Sequence, residues 1–472
     1  MNVLFVASRN VLRNRRRSIL TLLAASMGTI AVLLFWGYYR DNERGLQTAT
    51  VRSYGHLQIV VEDFLAFGHS DSARFSIHGY SALIETIRHD PTLEPMLELV
   101  TPMLKVEGVV GNFALGTSTV FVGEGVVPTE RQKQLAWDGL GKGFAPDASA
   151  LRADVPDGGV VGVSLAQLLG LCDQLGIENC KRVAPNARQS RNVESRDVDD
   201  ALPSDIAAIA ADADAKTGSA ASEKRGPVLE LLASTAAGLP NVVRMNVLRA
   251  ERNAIRDIDV RHVAMPLALA QRLVFGTHDP GASAIIIQLR HTDMLEPARR
   301  RLQELLKNSP QRLEVVSFHE VSPEYDQIVA SFRAIFGFIA VLMAAITLFL
   351  IANVVSMAVG ERVGEIGALR SLGFQRFTIR RIFLIEGGLL GLLGALTGAA
   401  GAVALALAIN GSGLSWTPPG RQDAIGLRVE LFSDPVAILI VIAAVAVIAC
   451  LSAVWPANHA AKLEITAALR HS

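Results

Sequence analysis

Four stretches of the chain run uncharged and apolar for longer than a soluble amphipathic helix requires. They are Ile19–Tyr39, Ala334–Gly360, Gly387–Ile409 and Pro435–Asn458, and the shortest has 21 residues. A hydrocarbon core of about 30 Å is crossed by roughly 20 helical residues. A buried core helix is the soluble alternative for any one of them, but four, each bracketed by charge, favour spans. A cleaved signal peptide is the rival for the first. Its run exceeds the roughly 7–15 residues of an h-region, and Arg40-Asp41-Asn42-Glu43 offers no small-residue cleavage site. The pattern predicts an α-helical membrane protein with transmembrane helices over 18–40, 328–360, 382–410 and 435–458. The first span closes on Trp36, Tyr38 and Tyr39, read as an interfacial aromatic belt.

Between the first two spans the period changes. Strand-like runs at 56–61, 106–110, 119–122, 262–265 and 284–289 alternate with helical patterns at 81–88, 267–275 and 294–307. The stretch 158–170, GGVVGVSLAQLLG, reads as a strand turning into a helix. Such alternation predicts a large α+β domain over 41–327. Residues 185–226 lack aromatics and are rich in Ala, Asp, Ser and Arg, so they bury little and are expected to form a mobile insert. Asp197, Asp199 and Asp200 read as a solvated charge run rather than a metal site, because no glycine-centred calcium loop follows.

Charge then orients the chain. The totals cancel at 45 basic and 45 acidic residues, which argues against a nucleic-acid binder. Sorted by region they do not cancel. Residues 41–327 hold 29 Lys/Arg against 38 Asp/Glu, a net of −9, while residues 1–17 hold five Arg and no acid. Residues 361–381 hold five Arg against two Glu. With Lys462 and Arg470 of the tail, the basic pieces all fall on one side of a four-span chain. Short loops rich in Lys/Arg face the cytoplasm. Both termini are therefore expected inside, with an amphipathic helix over 1–17, a cytoplasmic loop over 361–381 and a tail over 459–472. The 41–327 domain and a short loop over 411–434 are expected outside.

No catalytic constellation is visible. The phosphate-binding G-x-x-x-x-G-K-[ST] loop is missing, as are H-E-x-x-H, G-x-S-x-G and paired C-x-x-C, and no histidine pair has zinc-ligand spacing. Neither a catalytic nor a metal site is expected, and any nucleotide energy must come from another chain. Cys172 and Cys180 would bridge in an oxidising compartment, with two half-buried thiols the equal alternative.

The informative residues lie at the membrane. In ERVGEIGALRSLG (361–373), Val363, Ile366, Leu369 (or Arg370) and Leu372 recur every three residues, with Glu361, Arg362, Glu365 and Arg370 mostly off that stripe. This predicts an amphipathic interfacial helix, serving either lipid headgroups or a docked partner. In the third span Gly387/Gly391 and Gly394/Gly398 stand four apart, which lets helices approach closely. Glu386 is expected at the interface, within reach of Arg380 or Arg381.

These motifs resemble one family. E-R-x-x-E-I-G-x-L-R-S-L-G followed by FLIEGGLLGLLG is similar to the core signature of the FtsX/MacB-type ABC transporter permeases, which include the lipoprotein-releasing permeases. ASRNVLRN (7–14), GVSLAQLLG (162–170) and the closing WPA…AALR (455–470) resemble further family segments in family order. The resemblance implies a permease subunit in the bacterial inner membrane, with ATP bound by a separate ABC ATPase and no cofactor of its own. It implies a second permease copy, identical or related, and a periplasmic adaptor or lipoprotein partner. It assigns ATPase coupling to Glu361, Arg362, Glu365, Ile366, Leu369, Arg370, Leu372 and Gly373. The work done is export or extraction of a lipoprotein, lipid, peptide or drug. The alternative is a relay that transports nothing and activates an extracytoplasmic enzyme such as a cell-wall hydrolase. A secondary transporter would need a midplane charge or paired broken helices, and neither is seen.

Overall fold

The computed structural model describes residues 15–68, 73–113, 115–141, 149–177, 226–253, 256–276, 278–417 and 424–462. Most of the 1–17 helix, Cys180, the 185–226 insert up to Arg225, with Asp197, Asp199 and Asp200, and the tail after Lys462 lie outside them. In chain order the principal elements are α1 (Arg15–Tyr54), β1 (Leu57–Val61), α2 (Tyr80–Arg88), β2 (Leu97–Asn112), β3 (Thr117–Val126), α3 (Pro128–Ala136), β4 (Gly158–Gly162) and α4 (Val163–Leu168). There follow β5 (Val228–Ser234), β6 (Pro240–Glu251), β7 (His262–Pro266), α5 (Leu267–Phe275), β8 (Ala284–Leu289), α6 (Leu295–Leu306) and β9 (Leu313–Ser317). The chain closes with α7 (Pro323–Glu361), α8 (Val363–Ser371), α9 (Arg376–Ser412), the two-residue strands β10 (Ser415–Trp416) and β11 (Ile425–Gly426), and α10 (Pro435–Lys462).

The chain divides into two compact units. One holds the residues up to Gln47 and, apart from a short piece of the last loop, those from Pro323 onward; the other holds Thr48–Ser322. The sheet unit is built on nine strands in the order β3-β7-β4-β6-β5-β2-β8-β1-β9. The long strand β2 serves two sub-structures. Through Met103–Asn112 it pairs with β3, and β3–β7, β7–β4, β4–β6, β6–β5 and β5–β2 pairings return to it, so six strands close on themselves. Their inner positions, among them Val106, Phe121, Leu231, Met245 and Met265, form one apolar cluster with Leu165 of α4 and Leu273 of α5. Through its first half β2 pairs with β8, and β8–β1–β9 complete a four-stranded antiparallel sheet. Helix α6 turns Leu295, Ala298, Leu302 and Leu306 inward on one face. Burying each leucine contributes about 1.5–3 kcal/mol. The result is the expected α+β domain, with two parallel pairs in an otherwise antiparallel sheet.

Several elements are longer than the pattern suggested, or new. Strand β2 covers sixteen residues rather than five, because Pro102 interrupts the alternation without ending the pairing; it stands opposite Ile285. The β5–β6 hairpin and β9 were not anticipated from the sequence. Helix α1 continues past Arg40 to Tyr54, because no proline intervenes and the first glycine in the left-handed region is Gly55 (φ +74°). Helix α7 begins at Pro323, five residues before the expected span, since proline is pre-organised for a first helical position.

In the helical unit, α1, α7, α9 and α10 are each long and apolar enough to cross a membrane. Helix α7 is peripheral: 11% of its most apolar window is buried, against 33% for α1 and α9. One of the three belt aromatics is covered by the protein itself. Tyr39 is buried at 5% exposure, with its ring edge-on to Phe336 at 5.1 Å, because α7 covers that face of α1.

Candidate functional site

The corner between α7 and α9 is built from a few backbone and side-chain bonds. Helix α7 ends at Glu361, Arg362 leaves helical geometry (φ −107°), and α8 starts at Val363. At the other end Gly373 takes φ +91°, its N–H donating to the Arg370 carbonyl while the Phe374 N–H donates to the Leu369 carbonyl. That 6→1 and 5→2 pair, with Phe374 and Leu369 packed on the same cluster, is a Schellman stop. The helix therefore lasts nine residues and the chain turns into α9 at once.

Ile366 is 3% exposed and packs with Val359, Ile379, Phe383, Ala457 and Ala460, and Leu369 joins them partly buried. Arg362 is nearly buried, its Nη1 donating to both carboxylate oxygens of Glu386 at 3.3 and 3.2 Å. Arg370 donates to the Ala461 carbonyl at 2.8 Å, tying α8 to α10. The inward set of the motif is thus Arg362, Ile366, Leu369 and Arg370. Glu361, Glu365, Leu372 and Gly373 are exposed.

Two expectations are corrected here. Glu386 pairs with Arg362, not with Arg380 or Arg381; those stand six and five residues before it, off the three- and four-residue spacing that brings helical side chains together. Leu372 is not on the apolar stripe but 76% exposed. Three-residue steps drift by roughly 60° each around a helix of 3.6 residues per turn, so the third step has left the face. Phe377, at the start of α9, is 62% exposed beside it and was missed in the sequence. The Arg381 guanidinium lies 5.2 Å from its ring centre. An aromatic one residue into a helix after a glycine stop was the available signal.

The glycines of α9 meet two different helices. A Cβ on Gly387 would sit 2.9 Å from the Ala453 methyl, and one on Gly391 would overlap the Ala449 methyl of α10. A Cβ on Gly394 would meet the Ala25 methyl at 2.5 Å, and one on Gly398 the Ser26 carbonyl at 2.6 Å, both on α1. Ser26 Oγ donates to the Gly394 carbonyl at 3.0 Å. The small partners Ala25/Thr29 and Ala449/Ala453, themselves four residues apart, were legible in the sequence but not singled out. Cys172 is disulfide-bonded and Cys450 is free, with its Sγ against Gly388. Among the described residues no His/Cys/Asp/Glu group could hold a metal ion.

Four helices long and apolar enough to cross a membrane, with a sheet-rich unit between the first and second of them in sequence, fit a membrane permease. Residues 337–465, from within α7 to beyond α10, match the family model of the FtsX-like permease C-terminal domain. That stretch is thus similar to an FtsX-like permease C-terminal domain. It is 30% identical over 204 residues to the uncharacterized ABC transporter permease YknZ of Bacillus subtilis, covering 42% of this chain and 46% of that one. It is 36% identical over 137 residues to the ABC transporter permease YtrF of the same organism, covering 28% and 30%. It is 27% identical over 217 residues to the lipoprotein-releasing system transmembrane protein LolE of Haemophilus influenzae, covering 44% and 50%. The chain spans half or less of the length of each of these relatives.

Proposed function

We propose that this chain is the permease subunit of an ABC transporter, seated in the bacterial inner membrane with both termini and the elbow in the cytoplasm. It relays the motion of an ATPase on a separate chain and itself binds no cofactor. The observation that carries this reading is the division of labour in the elbow. Arg362, Ile366, Leu369 and Arg370 fasten α8 to α9 and α10, while Glu361, Glu365, Leu372 and Phe377 stand out from it. Two carboxylates and two apolar side chains on a fixed mount suit docking to another protein better than insertion among lipid tails, where charge is costly. The outward apolar face of α7, with Phe338, Val341 and Phe349 about 70% exposed, is the surface for lipid or for a second permease copy.

The sheet unit would meet the exported or extracted substrate, or a periplasmic adaptor or lipoprotein, and the family resemblance makes a lipoprotein, lipid, peptide or drug the cargo class. The non-transporting relay uses the same elbow. Co-reconstitution with the cognate ATPase tests the reading. Glu365→Lys should leave the chain folded and uncouple ATP hydrolysis from release of cargo. Unchanged coupling overturns the assignment, and full coupling of hydrolysis with nothing moved or released selects the relay.

A further inference from the structure

Among the described residues strand β9 is the outer edge of the sheet unit, since it pairs there with β1 alone. The Glu62 N–H donates to the Arg312 carbonyl at 3.0 Å and the Phe318 N–H to the His56 carbonyl at 3.1 Å. Counting inward by twos, Glu314 and Val316 exchange their backbone bonds with β1, so the N–H and C=O groups of Leu313, Val315 and Ser317 point away from the sheet. The Ser317 N–H is taken at 2.6 Å by Glu320 in a capping box. Among the described residues no partner receives the outward groups of Leu313 and Val315. An open edge with paired donors and acceptors two residues apart is a template for another strand.

A cavity of about 350 Å³ runs along this edge. Its wall includes the consecutive residues Leu313 to Val316, which belong to both faces of the sheet, and on the other side Gln303, Leu306 and Lys307 from α6 and the residue after it. A groove between an edge strand and a helix accepts an extended chain: main-chain bonds supply affinity and alternate side chains supply choice. Charge narrows that choice. The groove carries both signs, Arg299 and Lys307 lining it with Glu314 and Glu320, and Arg299 pairs with Glu320 at 2.9 Å. The charges that act on Glu314 itself, from Asp63, Glu320 and Glu62, are negative, so a cation is favoured at that one position.

We propose that the groove along β9 is a strand-addition site for an extended segment of a protein partner that places a Lys or Arg against Glu314. This goes beyond the permease reading and does not depend on it, because it concerns the sheet unit and not the elbow. The segment adds main-chain bonds to Leu313 and Val315 and sets its alternate apolar side chains against Leu306 and Leu313.

The test uses the full chain in lipid nanodiscs and three fluorescent, end-capped hexapeptides: alternating Lys-Val, alternating Glu-Val, and Lys-Val with its valine amides N-methylated. Anisotropy should show the Lys-Val peptide binding at least tenfold more tightly than either of the others. Glu314→Lys should reverse the charge preference. Val315→Pro removes an outward N–H on an edge strand, where proline is tolerated, along with a buried valine side chain, and should abolish binding. Equal binding of the three peptides, binding of none, or unaltered binding to Val315→Pro overturns the proposal. The N-methylated peptide keeps the main-chain claim testable even if the proline variant does not fold.

Discussion

Arg362 and Glu386, 24 residues apart in sequence, meet at 3.2 Å with only 7% and 12% of their side chains exposed. The first stands where α7 gives way to α8, the second one coil-turn and several helical residues later in α9, so the pair fixes the angle of the corner. Removing one partner takes an ion pair away from a nearly buried charge, a loss that runs to about 3–5 kcal/mol. Glu386→Leu and Arg362→Leu should each lower the melting temperature of the purified protein markedly. The double apolar replacement should recover most of the loss, because two charges no longer need burial. A double variant as unstable as the worse single one would contradict this account.

What the sequence disclosed here was periodicity. Residue patterns located the four long helices and the α8 motif, since a run without charge and a repeat of Glu, Arg and Gly are visible without coordinates. They did not disclose partners. Arg380 and Arg381 were nearer to Glu386 in sequence, but the helical repeat turns them away, and the true partner lies across a corner whose geometry depends on the Schellman stop at Gly373. The same limit hid β5, β6 and β9: their alternation is weak alone, and they are strands because neighbours accept their backbone bonds. Ala25 and Ala449 could be seen as small residues four from another, but their role could not, as an alanine matters only where a glycine faces it.

Glycine replacements in α9 should separate by position. Gly391→Leu forces a side chain into the space held by Ala449, and Gly398→Leu into that of Ser26 and Thr29. Overpacking costs about 1–3 kcal/mol. Gly337→Ala and Gly360→Ala in α7 meet nothing within 4 Å and should be neutral or slightly stabilising. Thermal unfolding of the four variants in one detergent checks this. Equal losses at all four sites would show that the seam is not tight.

His56 gives the sheet unit a built-in sensitivity to acid. It is fully buried; its Nδ1 accepts the Leu289 N–H at 3.0 Å, and its Nε2 lies 3.2 Å from Thr292 Oγ1. Burial lowers its pKa from 6.5 to about 3. A proton on Nδ1 would face a donor, so the neutral ring is the folded form. The unfolded chain therefore binds one more proton between pH 6.5 and about 3. Stability should be full above the unfolded value and fall as pH drops through that window, by up to about 1.4 kcal/mol per unit from this group. His56→Gln should flatten that slope in chemical unfolding at pH 4 to 7, even if it lowers stability at pH 7; an identical slope would place the sensitivity elsewhere.

Leu372 and Phe377 flank the glycine stop at 76% and 62% exposure, and so contribute little to holding the bundle together. Two large exposed apolar groups gain most if a partner covers them. Leu372→Glu with Phe377→Glu should leave the melting temperature within the roughly 0.5 kcal/mol scatter of surface changes. Binding of the proposed ATPase partner to the reconstituted chain should weaken by at least tenfold, since an apolar centre of the proposed contact is lost. If the pair instead served only to rest in lipid headgroups, the double variant would bind the ATPase as before and partition less into vesicles. Measuring both on one preparation decides between a docking elbow and a floating one.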